Sequence, residues 1–371
     1  MIRRLVLADE DNFDLVFLPL YSCGTIVREG MLYNLNSIDY IQMDKPWWNQ
    51  TIREDLELDG KLFLAASDFS LRDKNRAYIL VHNRDMVDNF GLTPIIDTVK
   101  DSTWTIDKFN TYALTVADDL NGNGETDDED RFGVGLDSPY EFVALLTGCD
   151  VSIITNNNGT HELTVNSEHT IDAIDKVLEC LANRSVAFLN TDWSGKVTYD
   201  FNSVSGKEFK EGRLLFVTSF PHSLKAFSAD CVDEYGILTF PKYDEKQENY
   251  YAYGDVFCML FGIPITCQDP NSAGFMLEAL SYESTDTVLE AYYEITCKTK
   301  YTYDPDSAEM LDLIFDGLRL EPAVMYNITG NDILKNIGTS RVNTFVTDYA
   351  AKKSAILADI ELLISDINSV E

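Results

Sequence analysis

Phe13-Asp-Leu-Val-Phe-Leu-Pro19 is a short apolar run that follows an acidic turn and stops at proline. A run of this length, too short for a helix and rich in branched and aromatic side chains, reads as a buried strand. Similar runs recur down the chain: Lys61-Leu-Phe-Leu-Ala-Ala66, Ala77-Tyr-Ile-Leu-Val-His82, Arg131-Phe-Gly-Val-Gly-Leu136 and Tyr235-Gly-Ile-Leu-Thr-Phe-Pro241. Helical patterns lie between them. Residues 25–30 form a short helix ending in glycine, and 85–90 another, capped by Gly91. Thr105 caps a helix that runs to about residue 118. Residues 167–181 place Ile171, Ile174, Val177 and Leu178 on one face. Residues 209–217 pass from a helix end through Gly212 into a strand, and 251–263 return the chain to a buried sheet. From Ser272 onward the pattern is mostly helical, with a helix start at 304–309 and a long docked helix over 341–367. Strands alternating with helices predict an α/β fold with mainly parallel sheets.

The length of 371 residues favours two domains over one core. Asp and Glu outnumber Lys and Arg 62 to 29, a net charge of −33, which repels nucleic acid and anionic membrane. The seven cysteines, Cys23, Cys149, Cys180, Cys231, Cys258, Cys267 and Cys297, show no C-x-x-C spacing, which argues against a zinc cluster. Most sit in apolar contexts and read as small buried hydrophobes, with room for one disulfide that the sequence does not assign. No segment approaches the roughly 20 apolar residues of a membrane span. The start, Met1-Ile-Arg-Arg-Leu-Val-Leu-Ala-Asp, has too short an apolar run for a secretory signal, so none is expected in this chain.

The sharpest local motif is an acidic, glycine-rich loop over residues 119–130. Asp119, Asn121, Asn123, Asp127 and Asp130 stand at the side-chain ligand positions of a helix–loop calcium site, Glu125 at the carbonyl position, and Gly124 at the sharp turn. The last ligand is Asp where the pattern has Glu. The expectation is a structural Ca²⁺, with a solvated acidic turn as the alternative.

Catalytic motifs are missing from the sequence. His82, His161, His169 and His222 form no H-E-x-x-H cluster, and neither a G-x-S-x-G elbow nor a phosphate-binding glycine loop appears. A paired-carboxylate glycosidase needs only two acids, and 62 acids leave that alternative open. Aromatic residues near turns and strand ends are the other constellation. Each one alone reads as core; as a set, at least two are expected in a cleft, where ring faces pack on sugar C–H faces. The candidates are Trp48, Trp104, Trp193, Tyr253 and Tyr326, with Asp68, just after a predicted strand, to accept sugar hydroxyls.

In order along the chain, Asp9-Glu-Asp-Asn-Phe-Asp-Leu-Val, Asp44-Lys-Pro-Trp-Trp-Asn-Gln50, Gly60-Lys-Leu-Phe-Leu-Ala and Thr103-Trp-Thr-Ile-Asp-Lys-Phe109 carry a resemblance. Asp118-Asp-Leu-Asn-Gly-Asn-Gly124, Phe209-Lys-Glu-Gly-Arg-Leu-Leu-Phe216 and Tyr235-Gly-Ile-Leu-Thr-Phe-Pro-Lys-Tyr-Asp244 continue it. Tyr292-Tyr-Glu294 and Asp306-Ser-Ala-Glu-Met-Leu311 complete it. The chain resembles the extracellular solute-binding proteins of family 1, the maltose-binding-like receptors. That resemblance implies a periplasmic-binding-protein-like type II fold: two α/β lobes, a hinge and a ligand cleft. It implies a monomeric, non-enzymatic receptor that hands a carbohydrate, an oligosaccharide, to the permease subunits of an ABC importer, with no nucleic-acid partner. It implies an extracellular lipoprotein or periplasmic location for a full-length form. Such proteins begin with a signal peptide, a lipid-modified cysteine and a strand–helix–strand that this chain does not show, so it reads as N-terminally truncated. The expected lobes are 1–83 plus 245–300, and 84–244 with the calcium-type loop; helices of 301–371 pack across both.

Overall fold

The computed structural model describes residues 2–157, 160–190, 192, 204–224, 231–292 and 305–370. Its strands are β1 (Val16–Pro19), β2 (Ile79–Asn83), β3 (Phe132–Leu136), β4 (Ile154–Asn157), β5 (Thr160–Leu163) and β6 (Ala187–Leu189). They continue with β7 (Leu214–Ser219), β8 (Tyr235–Leu238), β9 (Ala252–Tyr253), β10 (Met259–Gly262) and β11 (Leu318–Arg319).

A five-stranded sheet runs in the order β6-β3-β7-β2-β8. Strand β3 is parallel to β6 and β7, but β2 is antiparallel to both β7 and β8. A second, smaller sheet pairs β1 antiparallel with β10. Strands β9 and β11 pair in parallel, and β4 and β5 form a hairpin that sequence reading did not anticipate. The expectation of mainly parallel sheets is therefore corrected: the sheets are mixed. The physical reason lies in two crossing segments, residues 76–78 and 253–255, which run side by side. Tyr78 N–H bonds the Tyr253 carbonyl at 2.9 Å, and Asp255 N–H bonds the Arg76 carbonyl at 2.9 Å. A chain that leaves one sheet and enters the other through such a crossing arrives against the direction of the strands already there, as β2 does.

The run 61–66 is buried and extended but forms no ladder. Ala65 makes a single bridge to Phe261, and the Leu62 carbonyl accepts Leu35 N–H at 2.7 Å. The helix expected at 25–30 starts earlier, as Leu20–Arg28, immediately after β1. The helices Ile106–Val116 and Glu168–Leu181 start where expected, their Thr105 and Ser167 side chains accepting from Lys108 N–H and Thr170 N–H.

Packing follows from these elements. All of β3 and β7 is buried. Gly133 lets the helix Ile106–Val116 lie directly on β3, since a Cβ there would stand 2.3 Å from the Ala113 carbonyl oxygen. Phe109 stacks on Phe216 of β7 at 4.8 Å, and Trp104 covers the same ring at 5.8 Å. Such pairs add about 0.5–1.5 kcal/mol each beyond the burial of their area. Gly24 does the same for the helix Leu20–Arg28, where a Cβ would meet the Met325 carbonyl oxygen at 2.2 Å. The long helix Phe345–Ser369 buries Ile356, Ile360, Leu363 and Ile367, and Asp366 on it pairs with Arg28 at 2.7 Å. The six described cysteines are free thiols; Cys297 lies outside the described residues. Among the described residues no helix is long and apolar enough to cross a membrane.

Candidate ligand cleft

The strand directions bring particular chain ends together. Because β1 and β10 are antiparallel, with Pro19 opposite Met259, the end of β1 lies beside the beginning of β10. Because β2 and β7 are antiparallel, with Ile79 opposite Ser219, the beginning of β2 lies beside the end of β7. The crossing segments 76–78 and 253–255 tie the two sets to each other. In open α/β sheets the crevice beyond the strand ends is where ligands bind.

The side chains at this convergence are aromatic and partly exposed. Tyr21, in the first turn after β1, and Phe257, just before β10, meet edge to face at 5.4 Å and are 56% and 41% exposed. Their backbone is fixed, with Tyr21 N–H donating to the Val256 carbonyl at 3.2 Å. The Arg76 guanidinium lies over Phe257 at 5.4 Å and over Phe220 at 5.7 Å, and bonds Asp255 at 3.2 Å. Phe220 follows β7 and carries His222 stacked on it at 5.4 Å; His222 Nδ1 lies 2.8 Å from the Asn75 carbonyl oxygen. Burial pulls the His222 imidazole below its ordinary value, and the charges of Arg76 and Arg72 push the same way. A neutral imidazole is the form that both accepts and donates hydrogen bonds at neutral pH.

The floor of the cleft is buried and polar. Tyr78 stacks on Tyr253 at 5.8 Å and lies against Phe220 at 4.4 Å. The Tyr253 hydroxyl is buried with no hydrogen-bond partner among the described residues. A buried hydroxyl left unmade costs free energy, so it favours any ligand that supplies a partner. Burial raises the Asp255 carboxyl, and Arg76 partly reverses this. Burial, then the Asp137 charge, raises Glu141 well above the usual carboxylate range; its carboxyl accepts Asp137 N–H at 2.6 Å.

Of the six residues proposed from sequence, Tyr253 lies in this floor. Trp48 and Asp68 come together elsewhere, lining a cavity of about 500 Å³ with Lys74, Thr285, Asp312 and Phe315. Their polar atoms are already engaged. The Trp48 indole N–H donates to Glu278 at 3.0 Å, and the neighbouring Trp47 indole donates to the same carboxylate at 3.1 Å. Asp68 accepts from Lys74 at 3.3 Å and from the Thr285 hydroxyl at 2.9 Å. Trp104 lies instead in the core: its ring packs on Phe109, Tyr112 and Phe216, and its indole N–H donates to the Thr239 carbonyl at 3.1 Å. It directly precedes the Thr105 cap, so the turn into the helix drives the ring against the sheet. Tyr326 is buried where the helix Leu20–Arg28 meets Pro322–Met325. Trp193 lies outside the described residues. Sequence reading missed Tyr21, Arg76, Phe220, His222 and Phe257. The signal was available: all five stand within three residues of a strand end.

In the acidic loop, Asp119 accepts from Gly122 N–H at 2.7 Å and Gly124 N–H at 2.8 Å. Asp127 accepts from the Asn121 and Asn123 amides and from Glu129 N–H, and these bonds hold its carboxyl below the usual range, the Glu129 amide most. Asp130 accepts from Leu120 N–H and Asp127 N–H. The carboxylates are thus turned towards the loop's own amides. Among the described residues, no three His, Cys, Asp or Glu side chains are grouped to hold a metal ion.

Neither protein-family profiles nor curated proteins give a match to this chain. Solved structures do. An ABC substrate-binding protein from Listeria monocytogenes in complex with cycloalternan is similar, with TM-score 0.58 and 15% identity over 99% of this chain and 88% of that one. An extracellular solute-binding protein from Staphylococcus aureus in complex with maltose gives TM-score 0.61 and 14% identity, over 99% and 87%. A sugar transporter from Rhizobium etli in an open conformation gives 0.62 and 15%, over 100% and 88%. With the strand order above, these similarities define the fold as periplasmic-binding-protein-like type II, an α/β architecture.

Proposed function

We propose that this chain is the carbohydrate-binding receptor of an ABC importer, taking its ligand at the strand-end cleft. The observation that carries the reading is the pair Tyr21–Phe257: two exposed rings held edge to face by fixed backbone, above a floor whose Tyr253 hydroxyl has no hydrogen-bond partner among the described residues. Exposed ring faces beside a few placed polar groups are the chemistry that binds sugars. The solved structures that share the fold, crystallised with cycloalternan or maltose, support a saccharide as the ligand. On this reading the protein acts outside the cytoplasmic membrane, alone, and passes its ligand to membrane permease subunits. The reading is one of binding and not of catalysis. The cleft carboxylates Glu141 and Asp255 are both buried, one held by a backbone amide and the other by Arg76, so neither stands exposed to flank a substrate bond.

The lobes follow the sheets. The expected lobes, 1–83 plus 245–300 and 84–244, stand as part of this reading, and the place of β2 in the five-stranded sheet supports a first boundary near the crossing segment 76–78. Strands β1 and β10 then mark the other lobe, and the C-terminal helices pack across both: Pro305–Asp316 lies against β8 and Ile333–Ser340 against Tyr140–Gly148, while Phe345–Ser369 lies against Leu20–Arg28. The calcium reading of Asp119, Asn121, Asn123, Glu125, Asp127 and Asp130 rests on their spacing. Calcium should raise the unfolding midpoint, and Asp119→Ala should abolish the rise; calorimetry showing no heat of binding would reduce the loop to an acidic turn.

The function itself is tested by titrating maltose, maltotetraose and other oligosaccharides into the protein by calorimetry, with unfolding midpoints measured alongside. Saturable binding that raises the midpoint is expected. No response across the panel would remove the reading.

A further inference from the structure

The β4–β5 hairpin ties together two parts of the molecule that are built on different sheets. In the chain it stands between the helices Tyr140–Gly148 and Glu168–Leu181, which pack on each other beside the five-stranded sheet. Its root is fixed by the Glu321 carboxylate, which accepts Ile153 N–H at 2.8 Å, Ile154 N–H at 3.3 Å and the Ser152 hydroxyl at 2.8 Å. Its face meets the helix Gln50–Leu56, which goes with the β1–β10 sheet: Asn49 N–H at the helix start donates to the Ala66 carbonyl at 3.0 Å, and the adjoining Ala65 bridges Phe261 of β10. Asn156 and His161 are directly opposite in the hairpin, so their side chains share one face. The Asn156 amide donates to the Glu54 and Glu57 carbonyls at 2.6 and 2.8 Å, and His161 Nε2 lies 2.9 Å from the Asp55 carbonyl oxygen. These carbonyls stand at the C-terminal end of the helix, where the internal ladder leaves acceptors unmade. The hairpin thus caps a helix of the opposite part. It does so away from the cleft, because residues 252–254 pair with 317–319 on one edge and with 76–78 on the other.

A carbonyl only accepts, so His161 Nε2 carries the proton of its bond to Asp55. Nδ1 of the same ring is buried and has no hydrogen-bond partner among the described residues. Protonating the ring would set a buried N–H against no acceptor, which costs free energy. Burial accordingly holds the imidazole below its ordinary value, against the opposing pull of the Asp55 carbonyl and the Asp59 charge. The other charged groups on the elements packed here are Arg53, Glu54 and Glu57 of the helix, Glu162 of the hairpin, and Arg319 and Glu321 at the crossing. The Asp55 carboxyl bonds Leu320 N–H rather than the hairpin, and burial shifts it in the opposite sense. We propose that the hairpin is a proton-operated latch between the two parts, closed on the helix end while His161 is neutral and released when His161 is protonated. The released form binds the extra proton, so the latch holds above the ordinary imidazole value, about 6.5, and loosens as pH falls below it. Acid then frees the two parts to move about the crossing segments, which on the receptor reading is the motion that closes the cleft.

The test uses the full chain without ligand. Hydrogen–deuterium exchange, corrected for the intrinsic effect of pH, follows residues 54–58, 154–157 and 160–163 from pH 8 to pH 5, with β3 as the reference. Opening of these segments relative to β3 should grow by up to about tenfold for each pH unit below the ordinary imidazole value, the slope of one proton. His161→Gln keeps an amide donor for the Asp55 carbonyl and cannot titrate, so its opening should stay constant over that range. Asp55→Asn should keep the acid opening of the parent. The His161 ring, followed by NMR in the parent, should titrate below its ordinary value. An ordinary or raised value for the ring, acid opening that persists in His161→Gln, or acid opening that vanishes in Asp55→Asn would each overturn the latch and leave the saccharide reading standing. Acid release in a protein that binds no saccharide would keep the latch and remove that reading.

Discussion

Two aromatic regions of this molecule use the same residue types for opposite ends. At the corner formed by Trp47 and Trp48, both indole N–H groups converge on the Glu278 carboxylate, which also accepts Gln42 N–H at 3.1 Å. There the rings are cement: Trp48 is 2% exposed and packs on Phe261 at 6.0 Å. At the strand-end cleft, Tyr21 and Phe257 meet edge to face with the Arg76 guanidinium over Phe257, and among the described residues the Tyr253 hydroxyl below has no hydrogen-bond partner. A tryptophan beside a cavity is thus no guide to a ligand. What separates the regions is whether the hydrogen-bonding capacity is already spent.

The largest expected effect breaks the comparison on the side of stability. Trp48→Ala should lower the unfolding free energy by about 3–5 kcal/mol, since it opens a cavity in a packed core. It also strands the Glu278 carboxylate. Saccharide affinity of the folded fraction should be nearly that of the parent. A loss of affinity with little loss of stability would return Trp48 to the ligand. The converse holds in the cleft. Tyr21→Ala with Phe257→Ala should cost about tenfold or more in affinity, while the exposed rings contribute little to the midpoint. Denaturation curves paired with calorimetry read both variants.

A smaller effect concerns the contact between the β4–β5 hairpin and the helix Gln50–Leu56. Asp55 is buried there; it accepts Leu320 N–H at 2.8 Å, and Arg319 stands 3.8 Å away. Burial pushes its carboxyl up to about 7. Between the unfolded value, about 4, and that folded value, the native state holds a proton that the unfolded chain has lost. The stability contributed by this group is therefore present at acid pH and is lost as pH rises towards 7. Midpoints should fall between about pH 4 and pH 7, and Asp55→Asn should flatten part of that fall. An unchanged slope in the variant would place the titration elsewhere.

The sequence made the strands and helices legible because their signals are local. The Thr105 and Ser167 caps and the apolar runs of β1, β2, β3 and β8 needed no tertiary information. Strand direction was not legible, because β2 turns antiparallel only through pairing between residues 76–78 and 253–255, more than 170 positions apart. The site was half legible for a related reason. Tyr253, proposed from sequence as an aromatic among aromatics, lies in the proposed cleft, but Arg76 and Phe257 gain their meaning from each other across the crossing segments. Trp104 misled because a tryptophan beside a helix cap looks the same in sequence whether the turn aims it outward or, as here, onto Phe216.

Hydrogen–deuterium exchange with and without a bound oligosaccharide distinguishes the two aromatic regions in one measurement. The account predicts slower exchange on binding in residues 20–24, 76–80 and 253–258, with residues 46–51 and 285–290 unaffected. Protection confined to 46–51 and 285–290, with the strand-end segments unchanged, would contradict it and move the ligand to the Trp48 cavity.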